Sequence, residues 1–276
     1  MATTDLHFVA GSLQPVKRGV RMLGGAVDDG VQVDAAGAAL ANVATMGTLT
    51  AWVMVPDQTG SYAIIGFGDA SADEFITFSI VAGKLEINCT DATTKAYEVT
   101  STDKVIKAHK WHHVAVTHDA TRPHLYVDGK QVAMTLTVET DLSKWFKDCV
   151  NIDGAHIGAA EEGGAGALTL EFKGYISDVR IWGGTTSDSV LTETQINQVM
   201  SGSTVGTAHN IWSLDNQLLD AGSGADDGTA VGDIIFSDAN PFASRLTFLE
   251  TVPLTADNIS IMCNEGVGYA YSVLAA

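Results

Sequence analysis

Acidic residues gathered in two short stretches are the side chains whose type and spacing best suit chemistry. Asp69, Asp73 and Glu74 fall within GDASADEF, and Glu161 and Glu162 fall within AAEEGG, beside a glycine-rich run. Calcium is held by about 6–8 carboxylate and carbonyl oxygens, which paired acids on neighbouring loops supply. Asp73, Glu74, Glu161 and Glu162 are therefore candidate calcium ligands, with solvated acidic loops as the competing reading. Aromatic side chains offer a second chemistry, stacking on a sugar ring while polar loops fix its hydroxyls. Tyr97 and Trp145 are the candidates, the latter beside Phe146 in DLSKWFKD. Trp52, Trp111, Trp182 and Trp212 sit in strand-like patterns that place them in the core instead.

Five of the eight histidines lie between His109 and His124. His112 and His118 share strand parity, and His124 is placed to face His118 across a loop, so zinc is geometrically conceivable. No thiol is near in sequence, and the histidines read as sheet residues. Hydrolase machinery is thin. Glycosidases need two carboxylates at a defined separation, and Glu171 in LTLEFKG stands alone where an E-x-D-x-E pattern would supply them. No G-x-S-x-G, G-x-x-x-x-G-K or H-E-x-x-H motif is present. Asp28-Asp29 and Asp226-Asp227 lie beside glycines, where turn capping accounts for them.

Strands must position these groups. Within WHHVAVTHDATRPHLYVDGKQVA, Val114 and Val116 share one face while His113, Ala115 and Thr117 share the other. Leu125 and Val127 repeat the pattern after a turn-rich stretch, and Asp128-Gly129 tolerates the positive φ angles of a two-residue hairpin. Tyr62 to Phe67, Phe75 to Val81 and Leu85 to Cys89 also read as strands, the last two joined by Ala82-Gly83. Their close spacing suits a sandwich. One short helix is expected. Thr192 and Gln195 form a capping box, Leu191 and Ile196 a hydrophobic staple, and Ile196, Val199 and Met200 repeat at helical spacing before Gly202.

Bulk properties narrow the function. The 276 residues are 46% hydrophobic and 17% charged, enough apolar material for a sizeable core. A formal charge of -18 repels phosphate backbones and anionic membranes, so nucleic acid is not an expected partner. Cys89, Cys149 and Cys263 are an odd set without sequence-close pairs, which reads as reduced, buried thiols. The N-terminus lacks the pattern of a secretory signal, and no apolar run of about eighteen residues marks a membrane span. Beyond Pro241 the pieces RLTFLE and NISIMC look strand-like but are too short to bury a core of their own.

The stretch from Trp111 to Ala133 resembles the laminin-G-like, concanavalin-A-like jelly rolls. GTLTAWVMVP (Gly47 to Pro56) resembles an early strand of that family, and AVDDGVQVDA (Ala26 to Ala35) its opening strand. FKGYISDVRIWGGTTSDSVLTETQI (Phe172 to Ile196) resembles its closing strand and short helix, and Ala208 to Asp233 its ending, which returns to the N-terminal strands. The resemblance implies an all-β, concanavalin-A-like jelly-roll sandwich of two antiparallel sheets with one short helix, spanning 20–238. An N-terminal arm at 1–19 and a strand-like extension at 239–276, for edge covering or subunit contact, lie outside it. In the pentraxins, relatives of this fold, the two acidic stretches resemble the pair of loops that supplies calcium ligands, with Ala160 standing where an acidic ligand would be expected.

The expected function is that of a non-enzymatic structural or decoration protein of a virus particle, of bacteriophage type, with the sandwich exposed on the particle and able to bind glycans. A stand-alone carbohydrate-binding lectin or adhesion module is the alternative, and a glycoside hydrolase is disfavoured by the missing carboxylate pattern. The expected partners are other copies of the chain, virion proteins and cell-surface glycans, with no nucleic acid and no membrane insertion. The expected location is the virion, after synthesis in the host cytoplasm. Calcium is the one cofactor the residues suggest.

Overall fold

The computed structural model describes residues 19–22, 29–41, 43–149, 151–162 and 168–237. Strand β1 (Gly19–Met22) and the short β2 (Gly30–Gln32) lead into helix α1 (Asp34–Ala41). Five long strands follow: β3 (Met46–Met54), β4 (Ser61–Asp69), β5 (Ala72–Val81), β6 (Lys84–Asp91) and β7 (Thr94–Ser101). Next come β8 (His112–His118), β9 (Pro123–Val127), β10 (Lys130–Gln131), β11 (Met134–Glu139) and a 3-10 turn at Phe146–Asp148. β12 (Gly154–Ile157), β13 (Ala160–Glu161), β14 (Leu168–Thr169) and β15 (Gly174–Gly184) precede helix α2 (Glu193–Met200). β16 (Asn210–Trp212), β17 (Thr229–Val231) and β18 (Ile235–Ser237) complete the described chain.

Two antiparallel sheets face each other. The first runs β10-β9-β8-β3-β15-β1-β18, with β16 paired to β15, and the second runs β11-β7-β6-β5-β4-β12-β2-β17. Alternation dictates which side chains meet between them. Leu49, Ala51 and Val53 on β3 and Val114 and Val116 on β8 join Ile76, Phe78 and Ile80 on β5 and Ile87 and Val99 from the neighbouring strands in one core. Each fully buried aliphatic or aromatic side chain there is worth about 1.5–3 kcal/mol of transfer free energy. The chain end returns as the sequence implies: β17 pairs with β2 and β18 with β1.

Local signals were realised where they were strongest. Asp128 and Gly129 both take positive φ, at 50° and 76°, in the tight turn between β9 and β10. Thr192 Oγ1 accepts from Gln195 N while Gln195 Oε1 accepts from Thr192 N, closing the capping box of α2. Leu191, Ile196 and Val199 then pack with Ala115, Tyr126 and Trp182 into a second apolar cluster, which covers the outer face of the first sheet.

One expectation needs correction. The described residues hold two α-helices rather than one, because Asp34 to Ala41 is helical. Its sequence DAAGAALA is rich in the best helix former and starts on an acid that favours a helix N-terminus, signals that the alternating VQV just before it obscured. The family-like opening strand is correspondingly short, ending at Gln32. Cys89 and Cys149 are distant in sequence, yet their buried Sγ atoms lie 3.9 Å apart as free thiols. The proposed arm, apart from Gly19, and the C-terminal extension lie outside the described residues, as does Cys263.

Candidate functional site

The residues chosen for sugar stacking come together, but inside the protein. Tyr97 and Trp145 are both 0% exposed. His118 lies between them, its ring 6.2 Å from Tyr97 at an interplanar angle of 22° and 4.7 Å from Trp145 at 15°. Burial holds the His118 pKa below its ordinary value, and its Nε2 bonds the Leu142 carbonyl oxygen at 2.9 Å, so the stack is a neutral core element. DLSKWFKD reads as an exposed loop because charges flank the aromatics. Lys144 instead pairs with Asp91 and Asp148, and the 3-10 turn directs Trp145 and Phe146 inward. Neither Tyr97 nor Trp145 can present a ring to a sugar. The other four tryptophans are buried as expected.

The four acids do not form one cluster. Asp73 and Glu74 belong to β5 rather than to a loop, and Glu74 is buried. Glu161 and Glu162 diverge. The Glu161 side chain lines a cleft of about 370 Å³ with Asp34, Asp153 and His156. Burial, and then Asp153, Asp34 and Asp69, raise its pKa. Glu162 accepts a 2.8 Å hydrogen bond from Thr77 Oγ1. Among the described residues, no three His, Cys, Asp or Glu side chains are arranged to hold a metal ion. The histidines have separate duties: His112 Nδ1 bonds Asp128, His118 sits in the core, and His124 Nδ1 bonds Gln131.

A different constellation lies on the outer face of the second sheet. Since Ile76, Phe78, Ile80, Leu85, Ile87 and Val99 enter the core, their alternating neighbours point the other way. Register aligns these into two cross-strand rows, Ser79–Glu86–Thr100 and Thr77–Asn88–Glu98. Directly opposed residues have Cβ atoms about 4.5–5.5 Å apart, so the rows form one continuous polar patch. On one side β13 crosses over β4. A Cβ on Gly66 would stand 2.6 Å from Ala160 Cα and one on Gly68 2.1 Å from the Glu161 carbonyl oxygen, so only glycine permits that approach. The crossing brings Glu162 to Thr77 and walls the patch. Toward β11 the face opens, and Thr135, opposite Thr100, is exposed.

Two buried polar atoms here are unsatisfied. Ser79 Oγ and Asn88 Oδ1 find no hydrogen-bond partner among the described residues, although the residues are only 1% and 9% exposed. An unmade hydrogen bond of this kind costs about 1–3 kcal/mol. Tyr97 Oη is enclosed in the core beside Cys89, whereas these two lie on an outer face.

Charge adds to the constellation. Burial pushes the Glu86 carboxyl up from 4.5 to about 7; Glu98 reinforces the shift, Lys95 opposes it, and Glu162 adds to it. Glu162 is raised by burial against the opposing hydrogen bond from Thr77. Lys95 Nζ donates to Glu98 Oε2 at 2.6 Å. Folding therefore tightens proton binding at Glu86. That contribution is fully present below pH 4.5 and is lost as pH rises through about 7. Glu86→Gln should raise stability at pH 8 by about 2 kcal/mol, after allowance for screening at a half-buried site, and change little at pH 4. Thermal melts at the two pH values should show a gain of about 4–8 °C at pH 8 alone.

The sequence carries a signal for this face in three of its strands. The core-facing Ile76, Phe78, Leu85, Ile87, Tyr97 and Val99 alternate with Thr77, Ser79, Glu86, Asn88, Glu98 and Thr100, which form the two rows.

Two facing antiparallel sheets, one outer face covered by a helix and the other lined with hydroxyl, amide and carboxylate groups, define a lectin-like jelly roll. The chain belongs to the concanavalin A-like lectin/glucanases superfamily, whose family model matches residues 24–197. Among solved structures it is similar to the CBM40 of Ruminococcus gnavus IT-sialidase bound to α2,3-sialyllactose, at 16% identity and a TM-score of 0.51, covering 67% of this chain and 98% of that one. It is also similar to the native heptameric SAP-like pentraxin from Limulus polyphemus, at 14% identity and a TM-score of 0.54, covering 81% and 96%. The K499G mutant of NanB sialidase from Streptococcus pneumoniae matches at 16% identity and a TM-score of 0.50, covering 67% of this chain and 28% of that one. At such identities these likenesses establish the fold. No curated protein matches the chain.

Proposed function

We propose that the chain is a non-enzymatic carbohydrate-binding module whose ligand lies along the Ser79–Glu86–Thr100 and Thr77–Asn88–Glu98 rows. The observation that carries this reading is the pair of buried, unsatisfied atoms Ser79 Oγ and Asn88 Oδ1 on an outer face. A sugar hydroxyl both donates and accepts, so a glycan laid on the rows meets the partly exposed Glu86, Glu98 and Thr100 directly and reaches the two enclosed atoms when their side chains turn outward. The sialyllactose-bound CBM40 supports glycan recognition by this fold. A glycan array followed by titration calorimetry tests the reading. Wild-type protein should retain at least one glycan class, and Asn88→Ala should weaken it by tenfold or more while the melting temperature holds within a few degrees. Retention of no glycan would overturn the proposal.

A second reading has a specific observation behind it. A carboxyl pushed up to about 7 beside another carboxylate is the pairing that glycosidases use. Release of reducing ends from a retained oligosaccharide, abolished in Glu86→Gln, would favour hydrolysis over binding.

Assembly on a virus particle is a further proposal. It is supported by the net charge of -18 and by RLTFLE and NISIMC in the extension, and the heptameric pentraxin shows that a protein of this fold assembles. Calcium binding at Asp73, Glu74, Glu161 and Glu162 is proposed on the acidity of those stretches alone. Light scattering of the full chain with and without millimolar calcium tests both. A multimer is expected, and a mass that rises with calcium would point to those acids. A monomer in both conditions would remove self-assembly.

A further inference from the structure

The polar patch is strongly unbalanced in charge and in hydrogen-bonding character. Glu86 on β6, Glu98 on β7 and Glu162 beyond β13 bring three carboxyl groups to it, and Asp73 adds its field at Glu162. Lys95 is the cation acting on Glu86, and its ammonium is already bonded to Glu98. Lys84 shares the outward parity of Glu86 but sits at the hairpin end of β6, opposite Val81. The unsatisfied Asn88 Oδ1 is an acceptor, and above pH 7 the Glu86 carboxylate accepts as well. The described face therefore asks its ligand for hydrogen-bond donors and offers little free positive charge.

Resting on the glycan-binding reading above, we infer that this face takes an uncharged, hydroxyl-rich glycan and rejects glycans that end in a carboxylate-bearing sugar. A sugar hydroxyl donates directly to the partly exposed Glu86 and Glu98 carboxylates, and to Asn88 Oδ1 when that side chain turns outward. A sugar carboxylate supplies only acceptors and adds a fourth negative group to Glu86, Glu98 and Glu162. Like charges a few ångströms apart at a partly desolvated surface repel strongly, and the whole molecule's charge of -18 adds to the effect.

The test uses the full chain on an array that pairs neutral oligosaccharides with their sialylated counterparts, at pH 8 and low salt. Neutral members should be retained, and their sialylated forms should bind more than tenfold more weakly. The gap should narrow in 0.5 M sodium chloride as the charges are screened. It should also narrow in the Glu98→Gln, Glu162→Gln double variant, whose fold is checked by its melting temperature. Tighter retention of the sialylated member of a pair would overturn this inference while leaving the binding face standing. A gap unchanged by both salt and the double variant would also overturn it. Retention of neither member of any pair would instead overturn the glycan-binding reading itself.

Discussion

Asp178→Ala is expected to destabilise the fold by about 3–5 kcal/mol, the scale for breaking a buried ion pair from one side. Asp178 and Arg180 are 7% and 8% exposed. Arg180 Nε and Nη2 donate to the two carboxylate oxygens of Asp178 at 2.7 and 3.1 Å, and Nη1 donates to the Ser203 carbonyl oxygen at 3.0 Å. The β3–β15 register shifts between Ser177 and Arg180, and Asp178 adopts a φ of 51° there. Alanine would leave a buried guanidinium with one carbonyl and would still have to hold that left-handed backbone. Urea unfolding should show the midpoint falling sharply with an unchanged slope. Asp178→Asn with Arg180→Met should cost less than the sum of the two single changes, because the uncompensated charge is gone. A loss below about 1 kcal/mol in Asp178→Ala would mean that water reaches the pair and that its burial has been overstated.

Trp145→Ala is the second large effect, expected at about 3–5 kcal/mol. The indole is fully buried, stacked on His118 and set edge-on to Phe146 at 4.9 Å and 79°. Its removal opens a cavity among rings that cannot collapse without disturbing β8 and β7, since His118 is in turn stacked on Tyr97. A fall in melting temperature on the order of 10 °C should follow. Glycan binding measured well below the transition should persist, because Trp145 belongs to the core and the proposed face lies across the sheet from it. Loss of binding in a fully folded Trp145→Ala protein would contradict that placement.

The two candidate ligand types met different fates for one physical reason. Residue type makes Tyr97 and Trp145 attractive for sugars, but an amphipathic ring goes wherever its larger, apolar part is best buried. The direction of a loop decides that, and in DLSKWFKD the rings turn inward while Lys144 stays at the surface with Asp91 and Asp148. The acids show the same limit. Glu161 and Glu162 are adjacent in sequence, yet they serve opposite sides of the β4 glycines, one in the cleft with Asp34 and Asp153, the other against Thr77. Adjacency along a strand places side chains on opposite faces, so a doublet is a poor guide to a shared site.

Local chemistry was legible from the chain alone. Alternating strands, the Asp128-Gly129 turn and the Thr192–Gln195 cap rest on interactions a few residues long, and family-like wording extended them to the sandwich. Helix α1 was present in its alanine-rich sequence but was masked by the strand pattern before it. The tertiary structure alone decided which polar residues share a surface. The rows joining Ser79 to Glu86 and Asn88 to Glu98 exist only through strand register, and the meeting of Cys89 with Cys149 and of Tyr97 with Trp145 exists only through sheet packing. Register and packing are set by burial summed over the whole sandwich, and no single stretch of sequence contains that sum.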